Sequence, residues 1–130
     1  MNEDFVPFEL AKKLKEKGYP QQCGDDAYIL EDEYEEFEVG SLEFTPLIPE
    51  HLQTVVAPTI SQVLRWLREE KKIHIFSEIA SMGWYYTIYP KIQIKEGKLK
   101  TGNTIIDRDA SNTYDEAILA GIEYTLDNLI

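Results

Sequence analysis

The sequence predicts an α+β fold in which helices pack against an antiparallel sheet. Apolar residues recur with helical spacing in three segments, and apolar and polar residues alternate with a period of two between the second and third segments. The predicted order of elements is α-β-β-α-β-β-β-α, with helices covering one layer of strands. The length of 130 residues fits a single domain over 1–130, large enough to bury a core without metal or disulfide.

Three segments carry the spacing of amphipathic helices. The first covers 5–18 and ends at Gly18, where a left-handed residue stops a helix, and the second covers 59–72. The third follows Thr113, because Thr113 and Glu116 have the spacing of a capping box ahead of an apolar run.

The segment between the first two helices is predicted to hold an acid-rich hairpin or loop insertion at about 25–45. Short strands are expected over 27–30 and 37–44, the second interrupted at Gly40. Residues 46–58 contain three prolines and are predicted to form an irregular connection.

Alternation predicts three further strands, over 73–79, 84–94 and 98–106, the last with an irregularity at Gly102 and Asn103. Pro90 lacks a backbone donor and is expected at an edge position or a bulge. Glu96 and Gly97 are expected to form the turn between the last two of these strands.

Negative charge is concentrated in one part of the chain. The net charge is −11, and residues 25–43 hold nine of the 24 acids and no Lys or Arg. This acidic segment predicts a solvated patch that repels phosphate, so direct binding of nucleic acid is not expected. The acids proposed to contact a protein partner are Glu31, Asp32, Glu33, Glu35 and Glu36.

Three features of the sequence bear on the cellular compartment. Apolar runs are only a few residues long, so no membrane span is expected. The first ten residues carry acids where a secretory signal carries basic residues, and Cys23 is the only cysteine, which excludes an internal disulfide. A cytoplasmic protein is the expectation.

Three segments resemble a group of short, uncharacterised proteins encoded by phages and integrated elements of gut bacteria. They are F-V-P-F-E-L-A-K-K-L-K-E-K-G-Y at 5–19, A-P-T-I-S-Q-V-L-R-W-L-R-E at 57–69 and T-Y-D-E-A-I-L-A-G-I at 113–122. The segments cover under a third of the chain and consist mainly of helix faces and caps. The resemblance therefore implies a scaffold and a phage-related origin, and it implies no activity.

The inventory of nucleophiles and metal ligands is small. A Cys–His dyad would need Cys23 to meet His51 or His74 in space, and zinc needs three or four Cys, His or carboxylate ligands. We therefore expect no catalytic residue, no cofactor and no zinc. A carboxylate site that the sequence does not reveal would make the chain a small enzyme, which is one alternative.

The segment 107–118 comes close to a calcium-binding loop. Oxygen-bearing side chains fall at its odd positions: Asp107, Asp109, Ser111, Thr113 and Asp115. Asn112 stands where a sharp turn requires glycine, and Ile118 stands where a bidentate glutamate is required. A helix cap explains the same residues, so calcium is not the expected ligand.

Tyr85 and Tyr89 alternate with Trp84 and Tyr86, which places them on the opposite face of the predicted strand. If helices cover one face alone, these rings form an exposed contact surface; otherwise the long connection or another helix covers them.

The leading hypothesis is a non-enzymatic accessory protein that binds a protein partner through the acidic segment and the aromatic sheet face. A second hypothesis is an inhibitor that mimics DNA with its carboxylates, although most of the chain is balanced in charge. A homodimer formed through the sheet face is a further hypothesis.

Overall fold

The computed structural model describes residues 5–21, 26–31, 36–41, 53–107 and 109–130. Three helices and antiparallel strands make up these residues, which confirms the predicted α+β class. The chain divides into two compact units, residues 1–59 and 60–130. No helix among the described residues has the length and apolar character that a membrane crossing requires.

The first unit contains helix α1, Phe8–Glu16, which buries Leu10, Ala11 and Leu14 on one face. Pro7 precedes the helix as its N-cap residue. The amide of Tyr19 donates a hydrogen bond to the Leu14 carbonyl at 2.9 Å, which closes the helix at the predicted end.

A three-stranded antiparallel sheet completes this unit, in the order β2-β1-β3. Its strands are β1 (Asp26–Glu31), β2 (Glu36–Ser41) and β3 (Gln53–Val56). Strand β2 continues through Gly40, so the predicted interruption there is wrong. Strand β3 lies inside the segment predicted as an irregular connection, and it pairs with β1 from Ala27↔Val56 to Leu30↔Gln53.

Strand β3 also joins the sheet to the chain around α1. The amide of Val56 donates to Oε1 of Gln21 at 2.8 Å, and Tyr19 packs against Val56. The amide of Val6 donates to the Pro58 carbonyl at 2.9 Å. The first bond satisfies the backbone amide at the end of β3, and the second holds the chain two residues beyond the strand.

The second unit is built on the antiparallel sheet β4-β5-β8. Its elements are α2 (Ile60–Glu70), β4 (His74–Ala80), β5 (Gly83–Tyr89), β6 (Gln93–Lys95), β7 (Lys98–Lys100), β8 (Ile105–Ile106) and α3 (Tyr114–Asn128). Helix α3 packs on β4 and β5. Its predicted cap is confirmed, because Oγ1 of Thr113 accepts a hydrogen bond from the Glu116 amide at 3.1 Å.

The long strand predicted over 84–94 is divided at Pro90. The strand predicted over 98–106 is divided into β7 and β8, and the gap between them contains the expected irregularity at Gly102 and Asn103. Strand β5 ends at Tyr89, Pro90 lies outside the ladder, and Lys91 turns the chain with a φ of 54°. The amide of Gly102 then donates to the Pro90 carbonyl at 2.7 Å. The segment between these two residues is consequently a separate two-stranded hairpin, β6–β7, joined to the sheet at its base.

Helix α3 approaches the sheet closely at one residue without a side chain. A Cβ atom placed on Gly121 would lie 2.9 Å from Cγ2 of Ile75 and 3.1 Å from Cγ of Tyr86. Side chains of β4 and β5 therefore fill the space that any larger residue would need. The core of the second unit includes four fully buried residues of β5 and α3: Ile88, Ile118, Ile122 and Leu126.

We predict that Gly121→Ala lowers the free energy of unfolding by up to about 2 kcal/mol, because overpacking of the contact with Ile75 and Tyr86 by the added methyl group costs about 1–3 kcal/mol. The intrinsic helix propensity of alanine acts in the opposite direction by about 1 kcal/mol. The measurement is urea unfolding followed by circular dichroism. The matched control is Ala120→Gly on the same helix, which should cost about 1 kcal/mol through propensity alone. A Gly121→Ala variant about 1 kcal/mol more stable than the parent, the gain that propensity alone gives, would contradict the close contact.

Candidate functional site

The structure describes part of the acidic segment, namely residues 26–31 and 36–41. Glu31 ends β1 and Glu36 begins β2, and the register makes these two residues Cα partners. Asp32, Glu33 and Glu35 lie outside the residues that the structure describes. The predicted contact of these five acids with a partner stays a prediction.

Tyr89 belongs to a stack of three rings on β4 and β5. Its ring centroid lies 5.5 Å from that of Phe76 and 6.4 Å from that of His74, and the rings of His74 and Phe76 are 5.8 Å apart. All three residues are half-buried. Cross-strand ring pairs of this kind stabilise an antiparallel sheet, so part of the Tyr89 surface is used within the sheet.

The same face of the sheet continues across β5 to β8. The pairs are His74↔Tyr89, Phe76↔Thr87, Glu78↔Tyr85 and Thr87↔Ile106. Because directly paired residues of an antiparallel ladder share a face, these side chains lie opposite Ile75, Tyr86 and Ile88. We call His74, Phe76, Tyr85, Thr87, Tyr89 and Ile106 the outer sheet face. The sequence left open whether Tyr85 and Tyr89 are exposed or covered, and the structure shows both residues half-buried. Ile106 is 63% exposed, whereas Thr87 is buried.

The charge on the outer sheet face depends on the protonation state of His74. Burial lowers the pKa of the His74 imidazole, and the neighbouring charge of Arg68 lowers it further. Neutral His74 can therefore stack on Phe76 and Tyr89 at physiological pH without the cost of a desolvated charge. Arg68 is exposed on α2, and Glu78 is exposed on β4.

The near-match to a calcium loop forms a turn and a helix cap. Oδ1 of Asp107 accepts a hydrogen bond from the Asp109 amide at 3.0 Å, and the backbone of Ser111 exchanges two bonds with Trp84 at 2.8 and 2.9 Å. Asp115 lies in the first turn of α3, where its charge favours the helix dipole. Within the described residues, no three His, Cys, Asp or Glu side chains gather as a metal ion would require.

The second bond of the capping box differs from the expected pattern. Oε2 of Glu116 accepts from the Asn112 amide at 3.2 Å, one residue before the cap. The first turn of α3 is thus stabilised by Thr113, Asp115 and Glu116, which is the role that the helix-cap interpretation gives them.

Among the described residues, no two candidate groups for chemistry are brought together. Cys23 and His51 lie outside the described residues, and His74 is held in the ring stack. The buried Oγ of Ser77 has no hydrogen-bond partner, so no base is placed to activate it in the described part of the chain. Burial raises the pKa of the Tyr86 phenol, helped by the charges of Asp107 and Asp109, which is the opposite of what a tyrosine base needs.

Sequence reasoning missed the most exposed apolar residues. Ile94 and Leu99 are cross-strand partners on the β6–β7 hairpin and are 76% and 64% exposed. Ile79 and Met82, near the β4–β5 turn, are 67% and 78% exposed. The signal for the hairpin was present in K-I-Q-I-K-E-G-K-L-K, where lysines surround two aliphatic residues on either side of a Glu-Gly turn.

No family model, no curated protein and no solved structure matches the chain. The resemblance of three segments to short phage proteins therefore remains a prediction, and the function must be argued from the surfaces described above.

We predict that His74 contributes a loss of stability as the pH is lowered from about 7.5 to about 5.5, and that His74→Phe removes this contribution. The unfolded chain protonates His74 near its ordinary pKa of about 6.5, whereas the folded chain does so at lower pH. The unfolded state consequently binds more protons in this range, so protonation favours unfolding.

The measurement is chemical unfolding at a series of pH values. His51→Phe is the matched control, because it removes the other histidine and leaves His74 in place. An unchanged pH slope in His74→Phe would contradict the lowered pKa.

Proposed function

We propose that this chain is a non-enzymatic accessory protein that binds a protein partner through the outer sheet face and the acidic segment. The observation that carries the proposal is a stack of half-buried rings, His74, Phe76 and Tyr89, on the sheet face that also carries the exposed side chain of Ile106, with the buried Thr87 between them. Aromatic and aliphatic residues that are partly exposed on a rigid sheet are typical of protein interfaces.

The rigidity of this face supports a binding role. Tyr89 and Phe76 hold each other through stacking, so their rings lose little further freedom when a partner covers them. Neutral His74 adds a third ring without a charge that would have to be desolvated. A partner that presents apolar side chains fits the centre of this face, with Arg68 and Glu78 available for polar contacts at its margin.

The acidic segment adds charge to the proposed binding role. Its acids would guide a basic surface of the partner toward the chain and so raise the rate of association. We also propose a cytoplasmic location and a phage-related origin, as the sequence predicts.

The lysine-bearing β6–β7 hairpin counts against the hypothesis of a DNA mimic, since a mimic presents carboxylates and not exposed lysines to a DNA-binding groove. The hypothesis of a small enzyme lacks a described pair of groups in which a base reaches a nucleophile. Protein binding is therefore the function that the described residues support best.

The test compares two similarly exposed isoleucines. Ile106 lies on the outer sheet face, whereas Ile79 shares the face of Ile75 and Ser77. We expect Ile106→Glu to reduce capture of a specific partner at least about tenfold, because a buried carboxylate without a counter-charge costs more than 1.4 kcal/mol. Ile79→Glu should leave capture unchanged.

The measurement is affinity capture from gut-bacterial lysate followed by quantitative mass spectrometry of the retained proteins. Charge reversal at Glu33, Glu35 and Glu36 tests the acidic segment in the same assay. If Ile106→Glu and the charge-reversed variant both retain the same proteins as the parent, neither surface binds a partner and the proposal fails.

A further inference from the structure

The β6–β7 hairpin is a two-stranded ribbon with one basic face and one aliphatic face. Its register pairs Gln93 with Lys100, Ile94 with Leu99 and Lys95 with Lys98. Successive pairs alternate between faces, so one face carries Ile94 and Leu99 while the opposite face carries the lysines of the two strands. Residues 91–100 hold four lysines and one acid, and every residue of both strands is exposed.

The two edges of this ribbon differ. In the described part of the chain, neither strand pairs with any strand except its partner in the hairpin. Beside β6, the amide of Ile92 donates a hydrogen bond to the Lys72 carbonyl at 2.8 Å, so the chain is held on that side. No backbone bond of this kind reaches Lys98–Lys100 from the described residues. The edge of β7 is therefore the one open to a further strand.

The turn of the hairpin determines which backbone groups face outward along β7. Glu96 and Gly97 form a two-residue turn with φ values of 54° and 75°, as a type I′ turn requires. The pair that flanks such a turn, Lys95 and Lys98, exchanges backbone hydrogen bonds within the ladder, and the next pair does not. The amide and carbonyl of Leu99 consequently point toward a strand added at this edge.

The lysines restrict which strand this edge accepts. Lys98 and Lys100 flank Leu99, and Lys95 is the direct cross-strand partner of Lys98, where like charges destabilise a sheet. Lysines on an edge strand prevent unwanted pairing, because a basic or neutral strand meets their charge without compensating it. A strand that brings carboxylates to the lysine face would instead neutralise that charge.

An added strand can contact both faces of the ribbon at once. A DNA groove or a membrane surface lies against one face, so it leaves either the lysines or the aliphatic pair without a partner. The side chains of a strand point alternately to the two faces of the sheet that it joins. A strand in which acidic and aliphatic residues alternate therefore places carboxylates beside the lysines and apolar groups beside Ile94 and Leu99.

We propose that the edge of β7 binds an extended segment of a partner protein in which acidic and aliphatic residues alternate. The segment pairs antiparallel to β7, with an aliphatic residue directly opposite Leu99 that exchanges two backbone hydrogen bonds with it. The two acids that flank this residue then lie opposite Lys98 and Lys100. Backbone bonds supply affinity, and the alternation of side chains supplies specificity.

The experiment uses the full chain and a capped eight-residue peptide in which glutamate alternates with valine. The readout is the change in backbone amide signals in heteronuclear NMR, up to roughly 1 mM peptide, a range that detects millimolar affinity. We expect the largest changes at Lys98, Leu99 and Lys100. A peptide with the same residues grouped in one glutamate block and one valine block should bind at least roughly tenfold more weakly, because it cannot match both faces.

Two methylated peptides test the backbone bonds directly. In the proposed register the valine amide opposite Leu99 points toward β7, whereas the amides of the flanking glutamates point away. N-methylation of the valines should therefore abolish the signal changes. N-methylation of the glutamates is the matched control and should retain them.

Two double variants test the charges. Lys98→Glu with Lys100→Glu should weaken binding of the alternating peptide at least roughly tenfold, because carboxylates then oppose carboxylates. Lys12→Glu with Lys15→Glu on α1 changes the net charge by the same amount and should bind as the parent does. If a variant does not fold, the four peptides still decide the question.

Five results would overturn the proposal. They are no binding of the alternating peptide, equal binding of the block peptide, binding that survives N-methylation of the valines, binding that survives the change at Lys98 and Lys100, and binding of duplex DNA or anionic vesicles at these lysines in place of the peptide. The first result would leave the lysines with edge protection alone, and the last would assign the ribbon to a nucleic acid or a lipid surface. Partner capture through Ile106 uses another surface, so this proposal and the proposed function can fail separately.

Discussion

The contact of Gly121 with Ile75 and Tyr86 is the constraint on which the second unit depends. Because a Cβ at this position would come within 2.9 Å of Ile75, helix α3 lies against the sheet at a distance that only glycine permits. This contact determines which face of β4 and β5 becomes core. Period-two alternation then assigns His74, Phe76, Tyr85 and Tyr89 to the other face.

The surfaces with proposed functions follow from that assignment. The aromatic row can present its rings only because α3 buries the alternate residues, and the ring stack holds the row in place. The β6–β7 hairpin is separate for a different reason: Pro90 ends β5, and the backbone bond between Gly102 and Pro90 closes the base of the ribbon. One sheet thus supports two distinct candidate surfaces, one aromatic and one basic.

Local signals in the sequence predict the helices and most strands. The spacing of Leu10 and Leu14 and the cap at Thr113 depend on neighbours within four residues, so periodicity and capping chemistry reveal them. Strand β3 was missed because its existence depends on pairing with β1 about 25 residues away and on a side-chain bond from Gln21. Tertiary pairing of this kind leaves little trace in a four-residue segment.

The candidate sites were predictable to a smaller degree. Alternation placed Tyr85 and Tyr89 on the correct face, but it could not show the stack with His74 or the half-burial of both rings, which depend on strand register. The turn at Glu96 and Gly97 was predicted, but the β6–β7 hairpin as a separate element was not, because 84–94 was interpreted as one strand through Pro90.

The face covered by α3 can be measured directly through nuclear Overhauser effects from the Hα protons of Gly121. Strong effects to the Tyr86 ring and the Ile75 methyl groups are expected, together with a ring-current shift of the glycine protons, because these groups lie in contact. Effects from Gly121 to Phe76 or Tyr89 instead would place the helix on the outer sheet face and contradict both the packing and the proposed binding surface.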